Sequence, residues 1–268
     1  MCKWLNISRS GYYAFINRAE SQHDMEDKKL TAKIIKIHRD SREVYGSPRV
    51  HKMLQREGVS VGKKRVERLM RSQGLQGRVV TVTKRQPSLK GFRERGDNLR
   101  LNSPGANKIN QVWVADITYI KVRDTYRFLT VVMDIYSRRI LSWSLTSERT
   151  TKETSTVLKR AIKERQLTTG LIFHTDRGSE FTGSVIRKVL AKHKMKASVN
   201  RLGYCTDNGH MESFFHSLKA ELIRGRKFNS MIELRYALNS YINHFYNKKR
   251  LHSGIGYCPP IEYEKLAA

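Results

Sequence analysis

Cysteine is nearly missing: Cys2, Cys205 and Cys258 are the only three in 268 residues, and no two form a CxxC pair. That excludes a disulfide framework and a structural zinc module, and it makes a reducing cytosol the natural setting. Long apolar runs are absent too. The longest have the length of a strand, far short of the roughly 20 residues a membrane helix needs. The opening MCKWLNISRSGYY lacks the apolar core of a signal peptide. Acid is the third scarcity, with 24 Asp and Glu against 52 Lys and Arg, a formal charge of +28.

So much like charge repels itself and calls for a polyanionic partner, nucleic acid first. The excess is not a detachable tail. Residues 1–110 hold 25 basic and 10 acidic side chains, and residues 111–268 hold 27 and 14. At 39% hydrophobic and 9% aromatic, the chain has the material for a packed core in one large or two smaller domains.

The first part reads as helical. Residues 1–20 form a short leader, and a helix from about Lys29 to Arg39 carries Leu30, Ile34, Ile35 and Ile37. Ser47 and Pro48 suit the cap and first turn of a second helix to about Glu57. After Gly58-Val59-Ser60-Val61 a third spans about Gly62 to Gln73 and buries Val66, Leu69 and Met70. Two helices joined by a short Gly-containing turn have the outline of a helix-turn-helix, with Lys63, Lys64, Arg65, Arg68 and Arg71 as its DNA-binding face. An ordinary three-helix bundle with a solvated basic surface is the plainer alternative. We place an all-α domain at residues 1–76 and a basic linker at 77–107, with a turn at Asn102-Ser103-Pro104-Gly105.

The remainder, 108–268, changes to an α/β pattern. Gln111–Lys121, Tyr126–Tyr136 and Arg139–Thr146 read as successive antiparallel strands. A helix at about 151–166, a strand Leu171–His174, a helix at 183–193 and a strand near Lys196–Val199 follow. Two long helices, about 208–224 and 230–247, come last. This order predicts a mixed sheet flanked by helices.

Three carboxylates stand out. Asp116 sits on a strand that is apolar on both faces, where an ionised group costs several kcal/mol unless a cation compensates it. Asp176 ends a strand at the turn Arg177-Gly178-Ser179, which also suits a simple Asx turn. Glu212 flanks the apolar stripe Met211, Phe214, Phe215, Leu218 and Leu222, together with Asn208 and Lys219. From two strand ends and a flanking helix, these oxygens suit Mg²⁺ or Mn²⁺ and in-line phosphodiester displacement, with Lys219 on an adjacent phosphate.

Five sequence words now carry a resemblance. They are Trp113-x-x-Asp116-Ile-Thr-Tyr-Ile, Asp134-x-x-Ser137-Arg138, His174-Thr-Asp176-Arg-Gly-Ser, Asp207-Asn208-Gly209-x-x-Glu212-Ser-Phe-Phe and Leu218-Lys219-x-Glu221. Together they resemble the catalytic core of the DDE transposases of the insertion-sequence-three family, second reading frame, which is similar to retroviral integrases. Thirty-five residues separate Asp176 from Glu212, the family's spacing. The likeness continues through Tyr241-Ile-x-x-Phe-Tyr-Asn247, Arg250-x-His252 and Gly256-Tyr-x-Pro259-Pro260. Upstream it takes in Tyr45-Gly46-Ser-x-Arg49 and Lys64-Arg65-Val66-x-Arg68-Leu-Met70. Gly209-His210 departs from the family, and no HHCC zinc module is present.

The resemblance implies a ribonuclease-H-like fold and two Mg²⁺ ions, replaceable by Mn²⁺, on Asp116, Asp176 and Glu212. It implies DNA transposition and integration, by cleavage at element ends and attack of a 3′-hydroxyl on a target duplex. It further implies a homo-oligomer on DNA, an upstream-frame transposase protein or fusion as partner, and a place in the bacterial cytosol at the nucleoid, with no membrane. The chain has no extended leucine heptad, so specific end recognition is expected from that partner. A DNA-binding repressor and a hydrolytic nuclease of the same fold are the competing readings. His174 and His216 are expected to support the site or the fold rather than to be ligands, Asp134 to orient its turn through Arg138, and Tyr241, Phe245 and Tyr246 to lie in the core.

Overall fold

A computed structural model describes residues 2, 4, 7–17, 19–78, 97–101, 105–166, 170–201 and 205–267. Most of the linker expected at 77–107, and the turn expected at 102–105 save Gly105, lie outside the described residues. The chain divides into two compact units, Met1–Arg78 and Val79–Ala268.

In the first unit four helices form, α1 (Arg9–Ile16), α2 (Gln22–Asp40), α3 (Ser47–Arg56) and α4 (Lys63–Ser72). Helix α2 starts seven residues before the apolar periodicity does, because Ser21 caps it and accepts from the Asp24 N–H at 3.1 Å. Ser47 does not cap α3. Gly46 takes that place without a side-chain bond, and Pro48 sits in the first turn. Both α3 and α4 end in the same way. Gly58 (φ 77°) and Gly74 (φ 64°) are left-handed, and the next N–H returns to the helix, Val59 to Leu54 and Leu75 to Met70, each at 2.9 Å. Val50, Leu54, Val66, Leu69 and Met70 then close on Leu30, Ile34 and Ile37 of α2. Helix α1 buries nothing.

The second unit is built on a sheet of order β3-β2-β1-β4-β5: β1 (Val112–Val122), β2 (Thr125–Asp134), β3 (Ile140–Thr146), β4 (Ile172–Thr175) and β5 (Lys196–Val199). The expected antiparallel meander is there, β1 with β2 and β2 with β3, while β4 and β5 add parallel to β1. On one face Trp113, Ala115, Val132, Leu141 and Ile117 pack with Val157, Leu158 and Ala161 of α5 (Thr151–Arg165), Phe181 of α6 (Ser179–Thr182) and Ile186 of α7 (Ser184–Lys192). Strand alternation turns Val112, Val114 and Asp116 the other way. Helix α8 (Gly209–Leu218) packs along β1.

The two long C-terminal helices are not α throughout. Helix α8 passes into a π segment at Lys219–Ile223, and α9 (Met231–Asn239) into another at Ser240–Tyr246. The two widened turns face a buried ion pair. Arg250 Nε lies 2.8 Å from Glu221 Oε2, and Tyr241 donates to that oxygen at 2.7 Å. Tyr241, Phe245 and Tyr246 are buried, as expected of core residues. Asn247 closes the free edge of β3 by pairing with both backbone groups of Ile140, at 3.0 and 2.9 Å. Helix α10 (Pro260–Leu266) ends the chain. Among the described residues no helix is long and apolar enough to cross a membrane.

Candidate active site

Asp116 is not at a strand end. It is the fifth residue of an eleven-residue strand, but β4 stops beside it. The parallel register pairs Val114 with His174. Two residues further on, Asp116 comes level with Asp176, just past the last residue of β4. The central strand outlasts its neighbour, and the step leaves both carboxylates partly buried.

Asp116 accepts the N–H of Ile117 at 2.7 Å. Its carboxyl is nevertheless pushed up to about 7, first by burial and then by the charge of Asp176, with Glu212 adding to the effect and Arg149 opposing it. Asp176 takes the N–H of Gly178 at 3.0 Å, so the Asx turn is real and it aims the carboxylate. Burial raises Asp176 as well, and the nearby Glu180 charge adds to that. A β-carbon on Gly178 would stand 3.0 Å from Asp176 Oδ1 and 2.9 Å from Glu180 Cδ, so the turn needs glycine for close approach rather than for φ.

Glu212 lies in the first turn of α8, partly buried. Its charge reaches Asp116. Among the described residues no three acidic, His or Cys side chains close into a ready cation cage. The structure therefore brings together Asp116 and Asp176, with Glu212 beside the first. Two hard-oxygen donors that oppose each other's ionisation fit a divalent cation, which relieves burial and repulsion at once. Lys219 is exposed, and its ammonium lies 5.3 Å from the centroid of the Tyr119 ring.

Sequence reasoning missed an ion pair beside the carboxylates. Arg149, just past β3, bonds Glu180, which is 5% exposed on α6. Arg149 is the cation that acts on both aspartates, yet Glu180 engages it. Nothing in the spacing of 149 and 180 signals this contact. The sequence places Asn208 on the flank of the apolar stripe with Glu212 but does not show what it bonds. Its Nδ2 donates at 3.2 Å to the carbonyl of Ala115, the residue before Asp116, and so pins the start of α8 to β1.

His174 is structural, as expected. It is fully buried between Ser198 Oγ and Asn200 Oδ1, both at 2.8 Å, and burial lowers it to about 4. An amide oxygen on Nε2 places the proton there, so Nδ1 accepts from Ser198. Asp134 does not work through Arg138. Its oxygens accept the main-chain N–H groups of Asn110 and Tyr136 at 2.7 and 3.0 Å, while Arg138 packs against Gly254.

On the helix-turn-helix face the five basic residues divide. Lys63 and Lys64 are exposed in the first turn of α4. Arg65 Nε and Arg68 Nη2 both bond Asp27 of α2, at 2.7 and 2.5 Å. Arg65 also reaches Glu26 at 3.3 Å, and Arg71 pairs with Glu67 at 3.2 Å.

Models described as integrase core domain match residues 106–205 and 212–266, and one described as HTH-like domain matches 25–82. The transposase for insertion sequence element IS904 of Lactococcus lactis is 33% identical over 93% of this chain and 99% of its own length. Transposase InsF for insertion sequence IS3A of Escherichia coli is 32% identical, over 98% and 92%. Among solved structures, the simian T-cell lymphotropic virus intasome matches with TM-score 0.50 at 15% identity, over 86% of this chain and 74% of that one. The five-stranded mixed sheet with its flanking helices is thus the ribonuclease-H-like integrase fold. With relatives this similar along nearly its whole length, the chain belongs to the insertion-sequence-three family of transposases, enzymes built on an integrase core.

Proposed function

We propose that the chain cleaves DNA at the ends of an insertion sequence and joins them to a target duplex, using Asp116, Asp176 and Glu212. The observation that carries this is the carboxylate pair at the step between β1 and β4, partly buried and mutually repelling, with Arg149, the cation that acts on both, engaged by Glu180. Asp116 and Asp176 would hold Mg²⁺, or Mn²⁺ in its place, two ions in all once Glu212 closes on the pair. When bound, the ions supply charge neutralisation at the phosphate and activation of the attacking oxygen.

The protein's own groups do the rest. Gly178 N–H and Ile117 N–H fix the two aspartates. Lys219 binds a phosphate next to the reacting one, and Lys63, Lys64, Arg65, Arg68 and Arg71 belong to a DNA-binding region at 1–76, joined by a basic linker at 77–107 to the core at 108–268. The working species is a homo-oligomer on DNA at the nucleoid, aided by an upstream-frame protein or fusion. The test incubates the full chain and that partner with a duplex carrying the element's terminal repeat and a supercoiled plasmid. Mg²⁺-dependent joined product is expected; nicking without any joined product overturns the reading in favour of a nuclease. Lys219→Ala should weaken end binding and lower the salt dependence of affinity by about one phosphate contact. An unchanged salt slope removes Lys219 from the DNA.

The ion pairs on α4 rank its cations. Lys63→Ala and Lys64→Ala should each reduce the slope of log affinity against log salt by about 0.9, whereas Arg68→Ala, already neutralised by Asp27, should change it by less than half of that. A salt titration with a fluorescent duplex measures this. Equal losses at all three positions would mean that Asp27 releases its arginines on DNA.

A further inference from the structure

Residues Asp97–Leu101, the first described part of the second unit, lie along the free edge of β5. The Asp97 carbonyl accepts the N–H of Val199 at 3.1 Å, and Leu99 donates its N–H to Ser198 Oγ at 3.0 Å. That hydroxyl is the one that donates to His174, two residues before Asp176. Two side chains then leave this strap for a single target. Asn98 Nδ2 donates to Asp207 Oδ2 at 2.7 Å, and Arg100 Nη1 donates to the Asp207 carbonyl at 2.7 Å.

Asp207 is a hub. Arg201 adds three bonds to its carboxylate, from N at 2.9 Å, Nε at 3.2 Å and Nη2 at 3.0 Å, and its side chain is 7% exposed. It closes the turn Cys205–Asn208, and the next residue, Asn208, is the one bonded to Ala115. Helix α8 starts immediately after, with Glu212 in its first turn. The start of this helix thus has two anchors: Asn208 to the central strand beside Asp116, and Asp207 to the strap.

Given the reading of the site above, we propose that Asp207 is a positioning residue through which the strap Asp97–Leu101 sets the approach of Glu212 to Asp116. The physical case is leverage. Glu212 is one turn of helix beyond Asn208, in the first turn of the helix that Asp207 and Asn208 anchor. A shift of the turn by 1 Å carries Glu212 with it, and misplacement of that size costs up to about a hundredfold in rate.

Arg100→Ala and Asn98→Ala in the full chain test this, since each touches Asp207 and neither is a carboxylate of the site. Joining should fall roughly tenfold to a hundredfold at saturating DNA, with DNA affinity within twofold. Independently of activity, amide hydrogen exchange in residues 209–213 should accelerate while α5 and α7 keep their protection. Arg100→Lys, which can still donate to the Asp207 carbonyl, should restore most of both. If exchange rises only in 97–101, with 209–213 and the joining rate unchanged, the strap is a passive edge and the proposal fails. The exchange measurement needs no catalysis, so faster exchange at 209–213 in a chain that never joins DNA would fault the proposed reaction and leave the strap intact.

Discussion

Asp116→Asn should abolish strand joining, lowering the rate by roughly a thousandfold or more, about 4 kcal/mol of barrier, while duplex binding should stay near that of the parent. Asparagine keeps the shape and the acceptor that Ile117 N–H needs. It removes only the charge, which burial and Asp176 both oppose in the metal-free fold. The melting temperature without divalent cation should therefore stay level or rise as activity disappears. Loss of function with no loss of stability separates a ligand from a structural acid, because removing a structural carboxylate costs both. Asp176→Asn and Glu212→Gln should follow in activity. Binding should persist because Lys63 and Lys64 sit in the other unit. A gel-resolved joining assay and a thermal melt decide it, and near-parental joining by any one of the three variants sinks the triad.

The central strand was legible because two physical signals coincide in Val112–Val122: enrichment in β-branched and aromatic residues, and apolar residues on both faces around a lone Asp. Asp176 was legible from a short apolar run that breaks into Arg-Gly-Ser. What sequence alone could not give is that β4 ends level with Asp116. Strand length is set by the partner, so Asp116 was placed at an end when it lies mid-strand. The π segments escaped for a different reason. Apolar spacing over 208–224 fits a straight α-helix, and only the packing of Glu221 against Arg250 and Tyr241 selects the wider turn. Charge pairing was the least visible of all. Arg65 and Arg68 read as DNA ligands from α4 alone, and their partner Asp27 is some forty residues upstream. Arg149 and Glu180 meet only once β3 and α6 are packed. Short-range pattern reveals elements and their apolar faces; contacts between charged side chains far apart in the chain follow only from tertiary register.

Arg250→Ala should be the most destabilising single change in the catalytic unit, at about 3–5 kcal/mol. Arg250 and Glu221 are almost wholly enclosed, with side chains 5% and 2% exposed. The pair is stable only because each charge is fully answered. Arg250 also reaches Ser217 at 3.3 Å and stacks over the Tyr246 ring, and Tyr241 donates to the carboxylate. Removing the guanidinium leaves the buried Glu221 carboxylate without the cation that answers it. Arg250→Met with Glu221→Leu leaves no buried charge, so the double variant should regain a large part of the loss, short by the orphaned Tyr241 hydroxyl. Denaturant unfolding followed by fluorescence of Trp113 and Trp143, which both lie in this unit, gives the comparison. If the double variant is no more stable than Arg250→Ala, the loss arises from packing rather than from the uncompensated carboxylate. The consequence reaches the chemistry, because the π turn that Glu221 anchors begins at Lys219. A chain that survives Arg250→Ala folded should lose DNA-end affinity at Lys219 before it loses Asp116 and Asp176, which are held by the N–H groups of Ile117 and Gly178.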